Sequence, residues 1–137
     1  MWSLAEKDDG SLSKKDLTKL RVNPGSDLKD IPTKAPPSLV PGFLFVYILA
    51  CNDGSLYVGS SSDLGNRLKE HESVRGAKFT RDHPGQRLVY FEGPLPEIAA
   101  VRRERQLKRW TRAKKLALIR NQYALLRELS RSRKHHL

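Results

Sequence analysis

Tyr47, Tyr57, Arg67, His71 and Glu104 are the residues whose types and spacing invite chemistry. The two tyrosines stand in apolar stretches, "FLFVYILA" (43–50) and "SLYVG" (55–59). Arg67 and His71 share the i, i+3, i+4, i+7 spacing of Leu64 and Leu68, so all four line one stripe of a helix. Glu104 lies three residues from Val101 and Leu107 and four from Ala100, again on an apolar stripe. A charged group on a buried face is costly unless it is paired or opens onto a cleft. Each residue has a plain structural explanation. Tyr57 can be a strand aromatic, Arg67 can lay its stem over the leucines, His71 can cap its helix, and Glu104 can pair with a neighbouring arginine. If the five converge, they join two phenols and an imidazole, which can pass protons, to a cation and a carboxylate.

The elements that must position them follow from local patterning. "FLFVYILA" is short, β-branched and aromatic, and reads as a buried strand. Alternation puts Phe43, Phe45, Tyr47 and Leu49 on one face. Asp53-Gly54 signals a hairpin into the partner strand 55–59. Whether Tyr47 and Tyr57 share a face depends on a register that the sequence leaves open. Ser61 or Ser62 is the expected N-cap of a helix running to about Glu72, with Asp63 in its first turn. Residues 73–87 read as a basic, glycine-containing loop. "LVYFE" (88–92) is a third strand, ended by "GPLP". A helix opens near Glu97 with Ala100, Val101, Leu107 and Thr111 on its apolar stripe. Thr111 can also cap one final helix, with Leu116, Ile119, Tyr123 and Leu126 at helical spacing. This order predicts an α+β fold, a three-stranded antiparallel sheet with flanking helices. Residues 1–40, polar and ending in the proline-rich "IPTKAPPSLVPG", are expected to form a disordered or linker-like tail. The domain should span 41–130, with 131–137 a frayed basic end.

The charge narrows the function classes. Residues 1–40 carry 7 basic and 6 acidic side chains; residues 41–137 carry 19 and 9. A domain so basic attracts polyanions, nucleic acid above all. Cys51 is the only cysteine, so no disulfide within the chain and no thiolate metal cluster can form. It follows an apolar run and reads as a small buried hydrophobe. The longest apolar run is eight residues, against about 20 for a membrane span. No signal peptide is visible, and a cytoplasmic protein with no membrane partner is expected. Oligomeric state is not legible.

Taken in order, these residues resemble a GIY-YIG nuclease domain over roughly residues 43–120. Phe45-Val46-Tyr47 stands at the first motif and Tyr57-Val58-Gly59 at the second. Arg67 and His71 in "DLGNRLKEH", "GAKFTR" (76–81) and Glu104 in "RRERQLK" follow in family order. The last two stretches resemble the small stand-alone bacterial members. The resemblance implies that Tyr57 activates the attacking water, with Tyr47 as a candidate helper. It implies that Arg67 stabilises phosphate charge, that His71 assists proton transfer or orients a tyrosine, and that Glu104 holds one divalent metal ion, Mg²⁺ or Mn²⁺. Phe45 replaces the glycine of the first motif. Ser60 stands where some members place a lysine nearby, and the asparagine that follows the metal glutamate in some members has no clear match.

A free tyrosine has a pKa of about 10, so only about 0.1% is phenolate at pH 7; His71 titrates nearer neutrality and competes as the base. A single carboxylate suits Mg²⁺, which keeps waters and takes substrate phosphate oxygens. Lys78, Arg81, Arg102, Arg103, Arg105 and Arg109 are candidates for the nucleic-acid backbone, where contacts position a strand without reading its bases. With no recognition helix, zinc finger or separate specificity domain in view, the expectation is a metal-dependent DNA endonuclease with structure-directed or weak sequence specificity, acting in repair or recombination. The alternatives are a non-catalytic nucleic-acid-binding module and a protein-interaction adaptor.

Overall fold

The computed structural model describes residues 28–72 and 85–135, with the side chains of 71–72 and 132–135 left aside. Three strands and four helices follow in order. They are β1 (Leu44–Ala50), β2 (Leu56–Ser61), α1 (Leu64–Glu72), β3 (Arg87–Leu95), α2 (Glu97–Arg109), α3 (Arg112–Ile119) and α4 (Tyr123–His135). The sheet is antiparallel with order β2-β1-β3. The expected α+β architecture, a three-stranded antiparallel sheet flanked by helices, is the one observed.

β1 is central, and from Phe45 onward every residue in it is buried. Its even- and odd-numbered side chains enter two different cores, as period-2 alternation requires. Val46, Ile48 and Ala50 join Val58, Val89, Ala100, Leu107 and Leu118 on the side covered by α2 and α3. Phe45, Tyr47 and Leu49 join Leu64 and Leu88 on the side covered by α1. Phe43 precedes the strand and is exposed, so the expected face of four aromatic and apolar residues has three members.

The hairpin forms where Asp53-Gly54 predicts it. Gly54 takes φ 89°, a conformation that glycine adopts without a Cβ penalty. The Asp53 carboxylate accepts from the Ser55 amide at 2.9 Å. Cys51 beside it is buried, and burial, with Asp53 adding, pushes its thiol up to about 11. The small-hydrophobe reading of this cysteine fits that environment.

Several boundaries differ from expectation. Asp63, not Ser61 or Ser62, caps α1: its Oδ1 accepts from the Asn66 amide at 3.2 Å, while Ser61 Oγ accepts from Asp63 N at 3.1 Å. β3 continues through Gly93-Pro94 to Leu95, because Leu44 and Leu95 still pair across a register shift in which three steps of β3 oppose two of β1. The single final helix is two. Thr111 caps α3 by accepting from the Lys114 amide at 3.2 Å, as expected. The chain then breaks at Asn121, whose φ is 59°, before α4 begins. An asparagine tolerates this left-handed conformation better than most residues. α4 runs to His135, beyond Ser130 where fraying was expected.

Within the segment expected as a tail, residues 28–31 pack against the domain. Residues 1–27 lie outside the described residues, but Leu28 and Ile31 are buried in the core on the α2–α3 side. Arg87 fastens this turn, donating to the carbonyls of Leu28 and Ile31, each at 2.6 Å, and to Thr33 Oγ1 at 3.2 Å. Two isolated apolar residues in a polar, proline-rich stretch give little local signal. The guanidinium that satisfies their carbonyls comes from the far strand.

Candidate active site

The register settles the relation of the two tyrosines. Tyr47 pairs with Gly59, and Leu49 with Tyr57. Residues directly opposite share a face, so Tyr47 and Tyr57 are diagonal neighbours on the α1 side. Their rings lie 6.2 Å apart with planes tilted by 38°. Gly59 is what lets Tyr47 lie flat across β2. A Cβ there would come within 2.6 Å of the Tyr47 hydroxyl and 3.1 Å of the Tyr57 ring.

Tyr47 has no exposed surface. Burial pushes its phenol well above the usual tyrosine range; the Tyr57 phenol adds to the rise, Arg67 opposes it, and Glu104 and Glu70 add to it. A hydroxyl so placed stays protonated at neutral pH. It suits hydrogen-bond donation rather than proton abstraction. Tyr57 is half-buried.

Arg67 is exposed, with Nε 3.2 Å from Glu70 on the next turn. Its exposure resolves the puzzle of a cation among leucines: Leu64 is buried while the guanidinium stands at the solvent edge of the stripe. His71 falls in the last turn of α1 and its side chain lies outside the described residues, as do Lys78 and Arg81.

Glu104 approaches from α2, on the other side of the sheet. Its carboxylate accepts from Ser60 Oγ at 2.5 Å and meets Lys108 Nζ at 2.8 Å. Ser60 follows Gly59 in β2 and pairs with Val46, so its side chain faces α2 while Gly59 faces Tyr47. β2 is an edge strand. The tyrosines and Arg67 therefore belong to one face and Glu104 to the other, with Ser60 of the edge strand β2 joined to Glu104 by its hydrogen bond. Burial by itself would raise the Glu104 pKa. Hydrogen bonds from Lys108 and Ser60, and the charges of Lys108 and Arg105, outweigh it and hold the carboxyl below the usual range. Sequence reasoning gave Ser60 no role. Its signal is its place beside Gly59 in an edge strand, one step out of phase with Tyr57.

Among the described residues no cluster of three or more His, Cys, Asp or Glu side chains is placed to hold a metal. Glu104 alone still fits a hard cation. It is ionised and partly buried, and the ammonium of Lys108 already stands beside it as a positive charge. One carboxylate with waters is an accepted way to bind Mg²⁺.

The arginines of α2 divide. Arg102, Arg105 and Arg109 are exposed. Arg103 is tied inward: Nε lies 2.9 Å from Glu92, one terminal nitrogen donates to Gln106 at 2.6 Å, and Cζ stands 5.1 Å over the Trp110 ring. The sequence places it among the candidates for the nucleic-acid backbone, but an acid on β3 and an indole already hold it.

A hairpin tyrosine pair, an arginine on the next helix and a glutamate on the helix after β3 define a recognisable class. Residues 43–117 match the family model described as the GIY-YIG catalytic domain, and the chain belongs to that family. Among known proteins it is similar to a UPF0213 protein of Staphylococcus epidermidis, 43% identical over 75 residues that cover 55% of this chain and 92% of that one. A UPF0213 protein of Staphylococcus aureus is 44% identical over the same shares. The solution NMR structure of a UPF0213 protein from Bacillus halodurans shares 43% identity, covering 56% of this chain and 81% of that one, with a TM-score of 0.37. No helix among the described residues is long and apolar enough to cross a membrane.

Proposed function

We propose that the protein is a metal-dependent endonuclease that hydrolyses phosphodiester bonds in DNA, with structure-directed or weak sequence specificity. The observation that supports this most is geometric: the Tyr47 and Tyr57 rings lie 6.2 Å apart under the helix that carries Arg67, and Glu104 is hydrogen-bonded to Ser60, beside Gly59 over which Tyr47 lies. Hydrolysis needs an activated water, relief of charge on the phosphate and a stabilised leaving oxygen. In this reading half-buried Tyr57 takes the proton of the attacking water, with His71 as the competing base. Buried Tyr47 donates a hydrogen bond and fixes the position of Tyr57. Exposed Arg67 balances charge on the phosphate oxygens. Glu104, oriented by Ser60, holds the divalent ion, which supplies further neutralisation of the phosphate when bound. Arg102, Arg105 and Arg109 position the strand through its backbone.

One observation favours a second reading, a nucleic-acid-binding module without catalysis. Both oxygens of Glu104 are engaged within the chain, by Ser60 and Lys108. A cleavage panel separates the two. Branched, nicked and single-stranded DNA are incubated with Mg²⁺, Mn²⁺ or chelator. Wild type cuts only with metal. Glu104→Ala and Arg67→Ala each lose about 100-fold or more in rate, the usual cost of removing one positioned charge-stabilising group. Cleavage by Glu104→Ala at the wild-type rate removes the metal assignment. Salt-sensitive binding with no cleavage of any substrate establishes the second reading.

A further inference from the structure

Outside the tyrosine–glutamate site, one feature combines an open aromatic ring with cations. A groove of about 640 Å³ is lined by Trp110, Tyr123, Leu126, Arg127, Ser130 and Arg131. All but Trp110 belong to α4, at positions three, four, seven and eight beyond Tyr123, so they form one helix face. Tyr123 to Arg131 spans eight residues, a rise of about 12 Å. α4 lies beyond the matched catalytic segment, which ends at residue 117.

The two aromatics differ in availability. The Trp110 ring already carries the Arg103 guanidinium at 5.1 Å and the Lys114 ammonium at 4.6 Å. Tyr123 is 52% exposed, and its hydroxyl donates to Asn121 Oδ1 at 2.9 Å. That bond ties the ring to the break between α3 and α4. A tethered, exposed ring loses little entropy when something stacks on it. Arg127 and Arg131 stand one and two turns further along the same face, with Glu128 in contact with Arg131. Glu128 is the only acid in α4.

The geometry points to a docking site for an unpaired stretch of nucleic acid: a base stacks on Tyr123 against the apolar wall of Trp110 and Leu126, and the flanking phosphates meet Arg127 and Arg131. A stacking ring beside arginines is the usual means of holding a single strand without reading its sequence. Charge complementarity selects this occupant over a second copy of the chain, because two chains of formal charge +11 would bring like-charged faces together. The groove adjoins the proposed cleavage site through α2. Trp110 lies six residues beyond Glu104, about 9 Å along the helix axis. The groove holds strand whether or not the proposed cleavage occurs.

The test is metal-free binding of the full chain to a fluorescein-labelled oligo-dT and to a blunt duplex, in chelator. Wild type, Tyr123→Ala, Tyr123→Phe and Arg127→Ala are compared, with circular dichroism confirming that each is folded. Tyr123→Ala weakens oligo-dT binding by about 5- to 150-fold, the range for losing one stacked base, and changes duplex binding less than twofold. Tyr123→Phe keeps the ring and binds oligo-dT within twofold of wild type. Arg127→Ala lowers the slope of log K against log salt by about 0.7 on the single strand, and carries the test if Tyr123→Ala fails to fold. Unchanged oligo-dT affinity in both Tyr123→Ala and Arg127→Ala overturns the inference. So does a concentration-dependent dimer in sedimentation that Tyr123→Ala abolishes, which gives the groove to a second copy. Because no metal is present, loss of cleavage elsewhere leaves this result untouched, and the reverse also holds.

Discussion

Replacing Gly59 with alanine should damage the protein through one contact that can be worked out in advance. The added Cβ would stand 2.6 Å from the Tyr47 hydroxyl oxygen, 2.8 Å from its ring carbon Cζ and 3.1 Å from Tyr57 Cε1. Unstrained contact between such atoms begins near about 3.5 Å, so the phenol must retreat by about 0.9 Å. It has nowhere open to go, because Tyr47 is fully buried among Phe45, Leu49, Leu64 and Leu88. Overpacking of this kind costs about 1–3 kcal/mol. Alanine recovers about 0.5–1 kcal/mol of the entropy that glycine loses in a strand. The net loss is then about 0–2.5 kcal/mol, and the middle of that range corresponds to roughly 5–10 °C in Tm for a domain of this size. A displacement near 1 Å in a positioned group can cost about 100-fold in rate, so cleavage should fall further than stability. Thermal unfolding and cleavage rate are measured side by side for Gly59→Ala, Tyr47→Phe and the double variant. Removing the hydroxyl relieves the shortest contact but leaves Cζ in place, so Gly59→Ala/Tyr47→Phe should recover part of the lost Tm and not all of it. A Gly59→Ala protein with wild-type Tm and wild-type rate refutes the reasoning.

Three further outcomes rest on individual contacts in the fold. Ser60→Ala removes a hydrogen bond that holds the Glu104 carboxyl below its ordinary pKa, and an NMR pH titration should show that pKa moving up. A depressed carboxyl stabilises the fold fully above its unfolded pKa of about 4.5 and loses that contribution as pH falls from there through the folded value, so Ser60→Ala should start from a lower stability at neutral pH, lose less on acidification and complete the loss at a higher pH than wild type. Lys108→Ala removes the ammonium 2.8 Å from Glu104 and should tighten Mn²⁺ binding by up to about fivefold at neutral pH, the scale of a solvent-exposed ion pair; weaker or unchanged binding in calorimetry contradicts the competition. Arg87→Ala frees the carbonyls of Leu28 and Ile31 from their guanidinium and should cost on the order of 2 kcal/mol in denaturant unfolding. Arg87→Lys should restore only part of it, since an ammonium cannot reproduce the forked contact.

The sequence by itself determined what local chemistry controls. Asp53-Gly54 set the hairpin, Thr111 the start of α3, and the leucine spacing of 64 and 68 the buried side of α1. The ordered tyrosine, arginine and glutamate positions were enough to identify the family, because motif order is a property of the chain alone. Only the tertiary structure decided which strand residues face one another. Alternation assigns side chains to faces within a strand but not the offset between strands, so Tyr47 over Gly59 was beyond reach. The Ser60–Glu104 bond spans 44 residues, and the Arg87–Leu28 bond spans 59. Partners so distant are chosen by packing, which no local pattern records. The same holds for Arg103, basic in the sequence and tied to Glu92 in the fold. It holds too for the break at Asn121, where apolar spacing continued across a point at which the backbone turns left-handed.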